Sequence, residues 1–385
     1  MSAPPRDRPL FVLALAAALG GAFGGFVVHA PNRVADGVGL SLAEAPGPYG
    51  ALVMTLVALM GALAFVKDER VRSRAALAVG LALALACLAA AGAFAARLAE
   101  GAKPAARTSL GPAFWIMLCA ALAGVSTALR RLRPPRPAGA AVWAALALGA
   151  CALAALGARD RLALAQAYMQ RRAEFWSALS THMALAGASV GAAAVASVGL
   201  AALALRRPAA RDALFQTLGV LQTLPSLALF GALIAPLTAL AARFPKLAEW
   251  GVAGVGATPA LIALTLYALG PLTRGFVVAL EGVAADVKEA GRGLGFGARS
   301  LLASVELPLA APALISALRV ASAQAIGLAA VAALIGAGGL GVFIFEGIGR
   351  YAPDLVLLGA LPVVGLALAV DAGFAAAIAA ARGRL

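Results

Sequence analysis

The stretch Leu280–Ala310, LEGVAADVKEAGRGLGFGARSLLASVELPLA, decides how the rest of this chain is read. It carries Glu281, Asp286, Lys288, Glu289, Arg292, Arg299 and Glu306. An ionised side chain at the centre of a bilayer costs about 2.5–3.5 kcal/mol on insertion scales, so this segment belongs outside hydrocarbon. Apolar residues nonetheless recur at helical spacing: Val283 and Val287, then Leu294, Leu301, Leu302 and Val305. The pattern predicts two short amphipathic helices, separated by the glycines of Gly291–Gly297 and stopped at Pro308.

Almost everything around it is lipid-soluble. The chain is 63% hydrophobic and 12% charged, with a mean hydropathy of +0.94. A soluble domain is about half apolar and a quarter charged. Several runs exceed the roughly 18–20 residues that span a bilayer. The expected fold class is therefore all-α, a polytopic helical membrane protein. A formal charge of +14 invites a nucleic-acid reading, but the basic residues sit in short clusters between apolar runs, not on one face of a domain. No nucleic-acid partner is expected. Cys87, Cys119 and Cys151 fall inside apolar runs without metal-ligand spacing and are read as small packing residues.

In chain order, Arg6 and Arg8 precede an apolar run from Leu10 to Val28, longer than a cleaved leader's core and read as an uncleaved first span. Further spans are expected near Tyr49–Val66, Ala75–Ala96, Gly111–Leu129, Ala140–Gly157, Met183–Leu205, Leu214–Leu240, Thr258–Leu280, Pro312–Ile335 and Leu355–Ala380, about ten in all. Between Ala158 and Ser180, charged residues interrupt Leu162, Leu164, Tyr168, Met169, Phe175 and Trp176, the pattern of an external interfacial helix. It marks a boundary between an N-terminal block, residues 1–177, and a C-terminal block, residues 178–385. With both termini inside, 19 of the 31 Lys and Arg fall in cytoplasmic segments and 11 in external ones, as the positive-inside rule requires. The 280–310 loop is then cytoplasmic.

That loop resembles a known signature. Glu289-Ala290-Gly291, then Gly295, then Val305-Glu306-Leu307-Pro308, follows the spacing of the EAA motif of ATP-binding cassette (ABC) importer permeases. Gly291 replaces the motif's second Ala, and Val305 its Ile. Leu221-Gln222-Thr223-Leu224-Pro225-Ser226 and Leu334–Gly341 resemble segments of permeases for glycine betaine, choline and related osmoprotectants. The likeness covers about Leu214 to Phe374, and the N-terminal block resembles the extra helices of a longer subgroup.

The resemblance implies a transmembrane permease subunit in a bacterial inner membrane, without a cofactor and not itself an enzyme. It implies a cytoplasmic ATPase docking on Glu289, Ala290, Gly291, Gly295, Val305, Leu307 and Pro308. It further implies a periplasmic solute-binding protein and a second permease copy. No G-x-x-x-x-G-K-[ST] run occurs, so the chain carries no P-loop of its own.

Polar groups inside spans are costly and mark pathways. Gln222, Pro225, Ser226 and Gln324 are the candidates, against the alternative of simple inter-helix hydrogen bonding. Asp371 is placed within reach of Arg382 or Arg384, and Arg319 is expected to snorkel to the inner surface. His29 and His182 are read as interfacial, and no metal site is expected. Three rivals stay open: a permease for amino acids such as methionine, an ion-coupled secondary transporter, and a non-transporting scaffold.

A reporter fused after Arg136 or at the C-terminus is expected to read cytoplasmic, and one near Glu44 external. A C-terminus found outside would move the 280–310 loop to the wrong face.

Overall fold

The computed structural model describes residues 6–32, 35–101, 103, 105–155 and 161–383. Arg33, Arg159, Asp160 and Arg384, which entered the charge reading, lie outside the described residues. The chain divides into two compact units, Met1–Gln170 and Arg171–Leu385.

In the first unit, α1 (Arg8–Phe23) gives way at the extended Gly24 to β1 (Val27–Ala30). β2 (Val38–Leu40), α2 (Tyr49–Leu63), α3 (Glu69–Ala99), β3 (Arg107–Leu110), α4 (Pro112–Leu132), α5 (Arg136–Ala155) and α6 (Ala163–Gln170) follow. The three strands form an antiparallel sheet in the order β2-β1-β3, Val28 pairing with Gly39 on one side and Ser109 on the other. An all-helical reading leaves this sheet out. Its strands hold three or four residues, too few for the alternation that reveals a strand, although Val27, Val28 and Val38 favour extended backbone. The expected first span, Leu10–Val28, accordingly loses its last turn to the sheet. Phe26, fully buried, packs against Phe94 and Phe114 with ring centroids 6.0 and 5.7 Å away. At Gly80 of α3 a Cβ would lie 3.0 Å from the Ala121 carbonyl oxygen of α4, so these two helices cross almost backbone to backbone.

Asp7 ties this unit together. It is 3% exposed and caps α1 by accepting from the Leu10 N–H at 3.2 Å. Arg131 of α4 reaches it with both terminal nitrogens, Nη2–Oδ1 at 3.0 Å, and Arg72 of α3 lies 3.3 Å from Oδ2. Arg72 also donates to the Val66 carbonyl at 2.8 Å. One carboxylate thus joins the starts of α1 and α3 to the end of α4. Burial opposes its charge, but the Arg131 hydrogen bond, the Leu10 N–H and the two guanidinium charges outweigh burial and hold its carboxyl below the usual value.

The second unit contains α7 (Arg172–Arg206), α8 (Pro208–Thr223), α9 (Ser226–Arg243), α10 (Pro245–Glu249), α11 (Ala257–Glu281), α12 (Ala285–Gly293), α13 (Ala298–Leu301), α14 (Leu307–Val331), α15 (Gly341–Gly349) and α16 (Pro353–Arg382). α11 packs on both α7 and α14, α16 on α14, and α15 on α16. Buried Leu264, Leu272, Ala321 and Ala329 fill the centre. A Cβ on Gly275 would come within 2.4 Å of the Ala317 side chain, which sets how closely α11 and α14 approach.

Among the described residues seven helices are long and apolar enough to cross a membrane, fewer than the ten expected. α1, α2 and the apolar part of α5, Ala138–Leu153, are shorter. Four other expectations need correction. The single span Leu214–Leu240 is two helices, broken at Leu224-Pro225 because Pro225 offers no N–H. The interfacial helix expected over Ala158–Ser180 is, from Ala163 on, the eight-residue α6 followed by the first turns of the 35-residue α7. Pro308 does not stop a helix. A π-helical turn, Leu302–Glu306, joins α13 to α14 without a break, and the Leu307 N–H donates to the Leu302 carbonyl. That register shift falls where the ring of Pro308 supplies no donor. Cys87 is buried as expected, whereas Cys119 and Cys151 are exposed on the chain's surface.

Asp7→Asn is expected to lower the stability of the purified chain by about 3 kcal/mol, because it strands two arginines built to face a charge. The native carboxyl lies below its unfolded value, so its stabilisation is full above about pH 4 and fades as pH falls through the native pKa. Thermal unfolding of wild type and variant in detergent near neutral pH should therefore differ clearly. Coincident curves would remove the cluster from any structural role.

Candidate functional site

The 280–310 segment forms a clamped unit between two long helices. α11 ends at Glu281, and Lys288 of α12 reaches back to donate to the Leu280 carbonyl at 2.9 Å. Val283 is buried against Ala279 of α11 and Ala310 of α14. From the other side, Arg211 of α8 forms a two-pronged pair with Glu281 at 2.5 and 3.1 Å. Arg274 of α11 donates to the Phe215 carbonyl at 2.8 Å, and the Arg211 and Arg274 guanidiniums flank the Phe215 ring at 5.6 and 5.5 Å. Contacts thus tie the segment to α8, α11 and α14.

Within it, α12 ends in a two-bond C-cap. The Phe296 N–H donates to the Gly291 carbonyl at 3.2 Å, and the Gly295 N–H to the Arg292 carbonyl at 2.9 Å. This is a Schellman closure, which requires a left-handed residue between the two donors' ends. Gly295 occupies that place with φ of 88°. Gly291 answers a different need: a Cβ there would lie 2.5 Å from Leu301 Cδ1, so the motif's usual alanine would displace the side chain that docks α13 on α12. Two of the signature residues are thus explained by geometry alone.

The outward face of this unit mixes charge and grease. Leu294 is 79% exposed, with Val287, Phe296, Leu302, Leu307 and Leu309 also uncovered. Glu289, Ala290 and Pro308 are exposed, while Val305 is half-buried in the π turn. An apolar cluster ringed by charges on a polar loop has the make-up of a docking surface.

The expected pathway residues separate into two places. Gln222 donates to the Tyr267 carbonyl of α11 at 3.2 Å, and the Tyr267 hydroxyl donates to the Leu224 carbonyl at 2.6 Å. This exchange satisfies a carbonyl freed by the break at Pro225. Ser226 opens α9 and is half-buried. Gln324 lies on α14, half-buried, and makes no side-chain hydrogen bond among the described residues. The two glutamines therefore share no network. A cleft of about 460 Å³ between α7, α14 and α16 is lined by Met183, Val190, Ile326, Leu366 and Phe374 with Ser322 as its polar side chain, a poor match for a charged solute.

Several pairs escaped the sequence reading. Arg319 of α14 neither snorkels nor stands alone: it forms a two-pronged ion pair with Asp371 of α16, Nη2–Oδ2 at 2.7 Å, and Asp371 is not held by Arg382. Opposite charges on two neighbouring spans were the available signal. His182 is not interfacial but fully buried. Its Nε2 donates to the Ile326 carbonyl at 3.0 Å, while Nδ1, buried beside Gly339, finds no partner among the described residues. His29 lies in β1 and shares a hydrogen bond of 3.0 Å with Thr108. Arg171 pairs with both Glu174 and Glu346 at 2.6 Å and stacks on Phe343, tying the start of α7 to α15. Those hydrogen bonds, Glu174 first, raise its pKa further. The glycine-rich turn at 336–341 proves to be a broken helix, with Gly336, Gly338 and Gly339 all at positive φ.

Comparison with known proteins places these features in context. Residues 7–165 match the family model "ABC transporter permease YehY, N-terminal domain", and residues 193–381 match "Binding-protein-dependent transport system inner membrane component". Over 189 residues the chain is 37% identical to the carnitine transport permease protein OpuCB of Listeria monocytogenes, covering 49% of this chain and 78% of that one. Over 205 residues it is 35% identical to the osmoprotectant import permease protein OsmW of Salmonella typhimurium, covering 53% and 90%. Over 152 residues it is 38% identical to the choline transport system permease protein OpuBB of Bacillus subtilis, covering 40% and 63%. An inward-facing MetNI methionine ABC transporter aligns over 55% of this chain and 98% of that one, with a TM-score of 0.47 and 18% identity.

Gly291→Leu and Gly295→Val should each loosen the segment while leaving the spans in place, the first by overpacking Leu301 and the second by forcing a β-branched residue into left-handed backbone, at about 1–3 kcal/mol each. Trypsin should then cut faster at Arg292 and Arg299 in the detergent-solubilised protein. Cleavage rates equal to wild type would mean that the segment is not a rigid unit.

Proposed function

The chain belongs to the family of binding-protein-dependent inner-membrane transport permeases, and on that premise we propose that it is the transmembrane subunit of an ATP-driven importer for glycine betaine, choline or a related quaternary-amine osmoprotectant. It is a multi-pass membrane protein, and in this family ATP is hydrolysed on a separate ATPase subunit. The names of the similar permeases, for carnitine, osmoprotectants and choline, support the substrate class.

One observation carries the coupling role. The Leu280–Ala310 unit is closed by its own C-cap, clamped to α8, α11 and α14, and still presents uncovered Leu294, Phe296 and Leu302 outward. A push on such a unit is delivered to three helices at once. We read Glu289, Ala290, Gly291, Gly295, Val305, Leu307 and Pro308 as the ATPase-coupling residues. The uncovered leucines fill a partner's pocket, and Glu289 adds a charge-assisted hydrogen bond. Binding of a second permease copy, cytoplasmic termini and delivery of solute by an external binding protein complete the assembly.

The interrupted α8–α9 segment supports a pathway role for Gln222, Pro225, Ser226 and, from α14, Gln324. In transporters, substrate sites are typically formed by discontinuous helices. Residues 1–177 form an accessory block and 178–385 the permease domain in this scheme, a division supported by family matches that fall on either side of it.

The test is reconstitution of the chain with its ATPase and binding protein in proteoliposomes, following labelled glycine betaine and choline. Gly295→Asp, and less severely Glu289→Lys, should cut substrate-stimulated ATP hydrolysis and uptake together, by roughly tenfold for Gly295→Asp. Full coupling in Gly295→Asp would sink the proposal for the loop. Uptake driven by an ion gradient without the ATPase would favour a secondary transporter, and methionine uptake the amino-acid alternative.

A further inference from the structure

The transport reading makes no use of a second feature, in the first unit. A cleft of about 430 Å³ opens where α4 ends and α5 begins, lined among others by Ser126, Leu129, Arg130, Arg133, Gly139 and Trp143. Three arginines cluster at this helix end, and they differ in their partners. Arg131 is engaged by Asp7. Arg130 and Arg133 face no carboxylate among the described residues, yet both line the cleft. Two uncompensated guanidiniums in one concavity form a site for an anion.

The backbone is shaped to bring them there. Arg133 caps α4 in the left-handed conformation, φ 44° and ψ 48°, with its N–H donating to the Leu129 carbonyl at 3.0 Å. A non-glycine residue takes this conformation rarely, and such residues gather at ligand sites. The turn carries the chain from α4 through Pro134 and Pro135 into α5, so that Gly139 and Trp143 form the opposite wall.

The height of the cleft selects the anion. α4 is long and apolar enough to cross the membrane, so its last turn, where Arg130 and Arg133 lie, stands at the boundary between hydrocarbon and water. Trp143 is 40% exposed, and an indole at that depth sits among lipid headgroups. Guanidinium forks match phosphate oxygens with two parallel hydrogen bonds, and the Ser126 hydroxyl adds a further donor. Leu129 and Trp143 supply an apolar wall, which a free ion would leave unused. We propose that this cleft binds the phosphodiester headgroup of an anionic phospholipid, with the acyl chains lying along Leu129 and Trp143. A zwitterionic headgroup fits less well, since its cation finds no carboxylate among the described lining residues.

The experiment uses the full chain in neutral detergent, titrated separately with phosphatidylglycerol, phosphatidylcholine and inorganic phosphate while its unfolding temperature is followed. Phosphatidylglycerol should raise the midpoint by several degrees, and the other two should do little. Arg130→Gln/Arg133→Gln should abolish the rise, whereas a control, Arg70→Gln/Arg74→Gln, which removes two exposed charges elsewhere, should keep it. Phosphatidylglycerol brominated in its acyl chains gives a second reading: it should quench the tryptophan emission of wild type more than that of Trp143→Phe. An equal rise in the Arg130/Arg133 variant, an equal loss in the control, or quenching indifferent to Trp143 would overturn the site. A rise with inorganic phosphate matching that with phosphatidylglycerol would overturn the lipid assignment.

Discussion

A charge or an unpaired backbone group in hydrocarbon is costly, and the second unit is arranged so that none is left bare where it matters. Arg319 and Asp371 lie on adjacent spans and neutralise one another with a two-pronged ion pair. The break at Pro225 frees carbonyls in the middle of an apolar run, and Tyr267 and Gln222 exchange hydrogen bonds across it. The ionisable side chains of the Leu280–Ala310 segment gather where α11 ends and α14 begins, with Asp286, Lys288, Glu289 and Arg292 on the short α12 between them. Each device fixes one helix against another, so the solution to the solvation problem is also the source of rigidity.

That rigidity has a direction. α11 and α14 approach within the space of a glycine and an alanine at Gly275 and Ala317, which leaves little freedom to slide. The same two helices enter and leave the Leu280–Ala310 segment. Val283 packs against Ala279 and Ala310 at its two ends, and Leu301 seats α13 on α12. The first unit achieves a comparable stiffness differently. A single buried carboxylate, Asp7, holds three helix ends, and the small sheet at the other end of α1 packs its Phe26 into an aromatic cluster.

How much of this was readable beforehand depends on whether the cause was local. The demand at Gly295 is local, a left-handed backbone, and so was legible, whereas the space that Gly291 needs is set by Leu301 on the next helix. Apolar runs marked the long helices, because length and apolarity are set by the bilayer, but about ten spans were expected and seven described helices are long and apolar enough to cross. The strands of the β2-β1-β3 sheet were not legible, since three or four residues carry too short an alternation. His182 at a predicted span end looked interfacial, and only packing of α7 against α14 buried it.

The sequence by itself determined the class of protein, the polar element at its centre and the left-handed Gly295 that element requires, because hydropathy and backbone stereochemistry act within a few residues. Tertiary structure alone decided which charges meet. Arg319 is 52 positions from Asp371, Arg131 is 124 from Asp7, and Arg171 is 175 from Glu346. Each arginine had several carboxylates within reach of a flexible chain. The choice among them was made by which helices pack side by side, a consequence of small-residue contacts and core volume summed over the whole unit.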